Sequence, residues 1–162
     1  MATTWLSMMA QGLYETVYMT LVSTFMSYMF GLPLGIILTT TDRGHIMPNS
    51  WLNNCLGTLV NLVRSVPFLI LMVAVLPLSR LILGTTIGSS ATIVPLVIGA
   101  TPFVARMVES SLKEIDKGVI EAAQSMGASP LQIIFKVMLP GALTIIVTVA
   151  LFSFVWQWND VF

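Results

Sequence analysis

TVYMTLVSTFMSYMFGLPLGIILTTT, residues 16–41, runs from Glu15 to Asp42 without one charged side chain. A helix needs about 20 apolar residues to cross roughly 30 Å of hydrocarbon, so this stretch is long enough. Two more uncharged stretches follow, Leu81–Ala105 and Val137–Asn159. Leu56–Leu76 is also apolar but carries Asn61 and Arg64. An arginine near a helix end can snorkel to the headgroups, so this stretch reads as a further span. The alternative is a re-entrant or interfacial segment, because the uncharged part, Ser65–Ser79, is too short alone.

The whole composition agrees. Of 162 residues, 56% are apolar and 9% charged, and mean hydropathy is +0.92. A soluble domain averages roughly 25% charged residues. Seven Lys/Arg offset by seven Asp/Glu build no basic face, which excludes a nucleic-acid binder. One cysteine excludes a disulfide scaffold, and the apolar content excludes disorder. The expected fold is an all-α polytopic membrane bundle in the lipid bilayer, one transmembrane domain over residues 1–162. Its four spans lie at about 16–40, 56–77, 85–106 and 138–159.

Four spans leave loops 42–55, 77–90 and 106–136. Arg43, Arg106, Lys113, Lys117 and Lys136 fall in the first and third, with Arg64 just inside the second span. Only Arg80 falls in the middle loop. The positive-inside rule then puts those two loops in the cytoplasm and the N-terminus and Phe162 outside. The first apolar stretch is too long, and lacks the basic flank, for a cleavable signal peptide. Cys55 reads as a small packing residue near the cytoplasmic start of span two.

The spans are punctuated by Gly31, Pro33, Gly35, Pro67, Pro77, Pro95, Gly99 and Pro102. Proline removes a backbone donor and kinks a helix, and glycine permits close approach. Pro33, Arg64, Pro67, Pro95 and Pro102 are the candidate kink and gating residues; ordinary bundle packing is the alternative. Spans one to three hold no Asp, Glu or His. An ion-coupled transporter needs such a group, so the energy for any transport is expected from elsewhere.

Residues 109–140 read ESSLKEIDKGVIEAAQSMGASPLQIIFKVMLP. Asp116 can cap a helix starting at Lys117, and Val119, Ala122, Ala123 and Met126 share one face of it. Gly127 suits a left-handed helix end. Ser129 and Pro130 can open a second helix on which Leu131, Ile134, Phe135 and Met138 share a face. These stripes either pack on the ends of the spans or form a docking knob for a soluble partner.

The spacing Glu121-Ala122-Ala123, three residues, Gly127, nine residues, Val137-Met138-Leu139-Pro140 resembles the EAA signature of ABC importer permeases. The resemblance implies that the loop at about 109–137 is a cytoplasmic coupling loop. Its helix would enter a groove on an ATP-binding subunit, with Glu121, Ala122, Ala123, Gly127, Ala128, Leu139 and Pro140 as coupling residues. No P-loop stands in the chain; the nearest run, Gly84–Ser90, has no lysine. ATP and magnesium would therefore bind a partner chain, with no cofactor or catalytic residue on this one.

Within that superfamily, NLVRSVPFLILM (61–72), GTTIGSSATIVPLVIGATPFVARMVESSLKEI (84–115) and EAAQSMGASPLQIIFKVMLPGAL (121–143) are similar to methionine-uptake permeases. The resemblance implies a bacterial inner-membrane protein that imports methionine or a related amino acid by alternating access. Its implied partners are an ATPase pair, a second permease chain as homodimer, and an extracytoplasmic substrate-binding protein. The family pattern has five spans, so residues 1–162 alone are expected to insert without supporting uptake. The tail, Trp156-Gln157-Trp158-Asn159-Asp160, is more similar to sugar ABC permeases, although the two tryptophans read first as an interfacial aromatic belt. The rival readings are a permease for another amino acid or a sugar, and an ATP-independent transporter or channel.

Overall fold

The computed structural model describes residues 2–85 and 87–161, so the expectation for Phe162 lies outside the described residues. Among these described residues, seven α-helices and one π turn follow in order: α1 Ala2–Thr40, α2 Ser50–Ser65, α3 Phe68–Leu83, α4 Ser89–Lys113, α5 Lys117–Ser125, α6 Pro130–Ile133, the π turn Ile134–Met138, and α7 Leu139–Val161. No strand occurs among the described residues.

Helix α1 has 39 residues and is therefore about 58 Å long. It begins well before residue 16, the expected start, because residues 2–14 carry no charge or proline to stop it. Thr16, Ser23, Ser27, Thr39 and Thr40 donate their hydroxyls to the carbonyl four residues back. These bonds satisfy polar side chains where water is absent.

The second expected span, 56–77, is not one straight helix. Helices α2 and α3 meet at a 110° bend. Val66 between them is extended (φ −84°, ψ 125°) because the ring of Pro67 excludes helical backbone from the residue before it. Each half has 16 residues, or about 24 Å, short of the roughly 30 Å of hydrocarbon. Among the described residues, only Trp5–Thr40, Ser89–Lys113 and Pro130–Asn159 are long and apolar enough to cross singly. The bent pair supplies a fourth crossing only if it acts as one broken span.

The third and fourth expected spans shift too. Helix α4 starts at Ser89 rather than about 85, after the left-handed Gly84 ends α3. The last crossing starts at Pro130 rather than about 138, because α6, the π turn and α7 run on as one rod. Pro140 explains the π turn. It has no N–H for the carbonyl of Lys136, so the ladder widens and Leu139 donates to Ile134 instead. Ile134, Met138, Ala142 and Ile146, spaced by four, all stay buried. A four-residue step drifts about 40° around an α-helix, and the wider turn takes back part of that drift.

The helix contacts are led by α1 on α4. The buried face of α1 is small or polar at Thr16, Thr20, Ser23, Ser27, Gly31 and Gly35, while Phe25, Met29 and Phe30 face outward. That is the pattern of a membrane helix, where close backbone approach holds helices together and large apolar side chains meet lipid. At Gly31 and Gly35 an added Cβ would lie 2.7 Å from Val104 and 2.7 Å from the Ala105 carbonyl oxygen.

Candidate functional site

Two places combine unusual geometry with exposed chemistry: the loop from α4 to α7, and the break between α2 and α3.

The loop is a short helix with closed ends. Asp116 caps α5 by accepting from the Gly118 N–H at 2.8 Å. At the other end Gly127 is left-handed at φ 80°, the Gly127 N–H bonds Gln124 O at 2.9 Å, and the Ala128 N–H bonds Ala123 O at 3.1 Å. This paired closure satisfies carbonyls that a helix end would otherwise strand. Ser129 and Gln132 then form a reciprocal capping box that starts α6.

The expected stripes divide between two neighbours. Ile120 and Ala123 of α5, and Ile133, Ile134 and Met138 beyond it, join Val104, Val108 and Leu112 of α4 in one core. Val119, Met126, Leu131 and Phe135 stay exposed, Met126 by 83%. Glu121 and Ala122 are exposed, Ala128 and Leu139 are half-buried, and Pro140 is exposed. Of the resemblance-derived coupling residues, Ala123 is thus an inner packing residue and Glu121 an outer one. Glu121 borders a cleft of about 80 Å³ with His45, Lys117 and Gln124. Burial pushes the His45 imidazole below its ordinary pKa.

An ion network joins this loop to the rest of the bundle. Glu109, only 6% exposed, accepts from Arg106 at 2.6 Å and from Lys113 at 2.8 Å. Lys113 also reaches Asp42 at 2.7 Å. That hydrogen bond holds the Asp42 carboxyl below the usual carboxylate range. Arg106 continues across to α2, donating to Gly57 O at 3.1 Å and Asn61 Oδ1 at 3.0 Å. The end of α4, the α1–α2 loop and α2 are therefore tied at one point, directly before the loop that carries α5.

The second place is a cavity of about 360 Å³ lined by Arg64, Pro67, Phe68, Gly99, Phe103 and Trp156, among others. Trp156 is exposed, and its ring stacks on Phe103 at 5.8 Å and meets Phe68 edge-on at 6.4 Å. Trp158 stacks on Phe154. The kink candidates thus differ in place. Arg64 and Pro67 meet at the break, Pro33 lies inside α1, and Pro95 and Pro102 lie buried inside α4.

Sequence reasoning missed a polar seam. Gln157 of α7 is fully buried; its Oε1 accepts from Thr24 at 3.1 Å with the Ser23 hydroxyl close beside it, and its amide donates to Ser27 at 3.3 Å. Thr20 and Ser153 lie buried beside it on the same stripes. The available signal was the spacing of Thr20, Ser23 and Ser27 on one helix face, hidden by the high hydropathy around it.

Residues 31–162 match the family model described as binding-protein-dependent transport system inner membrane component. The chain is 53% identical over 145 residues to the probable D-methionine transport system permease protein of Vibrio cholerae, covering 88% of this chain and 64% of that one. It is 50% identical over 143 residues to the D-methionine transport system permease protein of Yersinia pestis, covering 88% and 66%. The chain therefore spans just under two thirds of the length of these relatives. An inward-facing structure of the MetNI methionine ABC transporter superposes with a TM-score of 0.96 at 44% identity, covering 99% of this chain and 74% of that one.

Proposed function

Because the chain belongs to the family of binding-protein-dependent transport system inner membrane components, we propose that it is the membrane-spanning permease subunit of an ATP-binding-cassette importer that moves methionine or a related amino acid into the cytoplasm. The observation that carries this reading is the capped helix α5. It offers Val119 and Glu121 outward, with Met126 exposed at its C-cap, while Ile120 and Ala123 anchor it in the core shared with α4 and α7. A soluble partner that pulls on such a helix pulls on the membrane rods behind it, because a packed interior transmits strain. The names and identities of the relatives support the amino-acid substrate.

In this reading ATP is hydrolysed by a partner pair, a second copy of this chain completes the path, and an external binding protein delivers the solute. ATP-driven closure of the partners shifts the α5 helices, and the rods rock between inward-open and outward-open arrangements. Helix α5 faces the cytoplasm, and the start of α1 faces outside. With Cys55 replaced by serine, an impermeant thiol reagent applied to intact cells is expected to label a cysteine at Gln11 and not one at Ser110. Labelling at Ser110 contradicts the orientation.

The function is tested by methionine uptake into proteoliposomes holding the permease, its ATPase and its binding protein. Uptake should require internal-face ATP. Gly127→Val should leave assembly measurable but cut uptake per ATP hydrolysed by about tenfold or more, since a β-branched residue is strongly disfavoured at positive φ and the α5 end reopens. Full coupling in that variant contradicts the docking role.

A further inference from the structure

A charge at membrane depth is costly, and such residues normally pair with a neighbour or face a cavity. Arg106 follows that rule through Glu109, Gly57 and Asn61. Arg64 follows it differently. It is exposed, stands in the last turn of α2 two residues before Val66 at the break, and has no hydrogen bond or ion pair among the described residues. Its place is the wall of the 360 Å³ cavity.

The other walls are aromatic or small. Phe103, Phe68 and Trp156 form a contiguous ring cluster. Gly99 lets α4 come close, because a Cβ there would lie 3.3 Å from the Phe68 ring. The break adds backbone chemistry. The first N–H groups of α3 and the last carbonyls of α2 have no partner within their own helices. The α3 start also carries the positive end of a helix dipole. Part of the lining thus favours an anion, part favours an apolar group, and the volume falls within the roughly 300–1,000 Å³ of small-molecule sites.

We propose that this cavity is the amino-acid site on the translocation path, with Arg64 holding the α-carboxylate and Phe68, Phe103 and Trp156 enclosing an apolar side chain. The α2 carbonyls and the face of Trp156 receive the ammonium group. The assignment rests on the importer reading above and adds to it a place and a chemical class. A planar guanidinium matches a carboxylate with two parallel bonds, so the site discriminates an amino acid from its amide.

The test uses the permease assembled with its ATPase in lipid nanodiscs and radiolabelled L-methionine, displaced by unlabelled L-methionine or L-methioninamide. Wild type should prefer the acid by about tenfold or more, the usual size of a charge-assisted contact. Arg64→Gln should abolish that preference, and Arg64→Lys should keep part of it. Trp156→Ala should weaken acid and amide alike, and gives the readout if Arg64→Gln fails to assemble. An unchanged acid-over-amide preference in Arg64→Gln, or unchanged affinities in Trp156→Ala, overturns the site while leaving the importer reading standing. A wild-type complex that transports no amino acid overturns both.

Discussion

Gly35→Val will drive α1 away from α4. The added Cβ would meet the Ala105 carbonyl oxygen at 2.7 Å and Val108 Cβ at 2.7 Å. The first of these is backbone, which has no rotamer to change, so a whole helix must move. Gly31 lies one turn earlier and meets Val104 Cβ at 2.7 Å and Thr101 O at 3.0 Å, so the two glycines act as one contact. Overpacking a well-filled core costs about 1–3 kcal/mol, and occasionally more. Here the upper end applies, because the extensive α1–α4 contact closes around these two positions. Thermal unfolding in detergent should show a clear loss for Gly35→Val and a smaller one for Gly35→Ala. Gly12→Ala supplies the control, because nothing lies within 4 Å of its added carbon, and it should stay within about 0.5 kcal/mol of wild type. Equal melting of Gly12→Ala and Gly35→Val would dismiss the contact.

The second large effect belongs to Glu109. Its side chain is 8% exposed and faces Arg106 and Lys113, which are 25% and 37% exposed. Removing one member of a buried pair costs about 3–5 kcal/mol, since the remaining charge stays desolvated. Lys113 keeps Asp42, and Arg106 keeps Gly57 and Asn61, so Glu109→Ala should fall toward the lower end of that range. The informative variant is the double replacement Arg106→Met with Glu109→Leu. Well-packed apolar side chains often replace a buried pair without loss, so the double variant should regain much of the melting temperature. It should not regain transport, because the tie from α4 to α2 is then gone. Recovery of both would make the network a matter of stability alone.

Much of the bundle could be read from the chain because hydropathy follows from the solvent. An uncharged run such as 137–159 has few options in a membrane other than a helix. The loop was legible for a different reason. Asp116, Gly127 and Ser129-Pro130 are local signals whose effect needs no knowledge of the rest of the fold. What hydropathy does not encode is direction. Pro67 could be seen as a kink, but the 110° turn depends on how α3 packs back against α4. The ring contacts of Trp156 likewise depend on Phe103 and Phe68, which are far away in sequence. The neutral seam of Ser23, Ser27 and Gln157 had no charge to announce it, so only its three-dimensional closure made it visible.

The π turn before α7 bears on how this chain can change length over evolution. Elsewhere in a long helix, losing one residue rotates everything downstream by about 100° and turns a buried face toward lipid. Between Ile134 and Met138 the ladder already holds a surplus residue. A deletion there takes out that surplus and keeps Ala142, Ile146 and Gln157 facing inward, while Pro140 still leaves one carbonyl without a donor. The same five positions are thus where a one-residue deletion disturbs the downstream faces least, while a gap two turns further on would scramble the seam with α1.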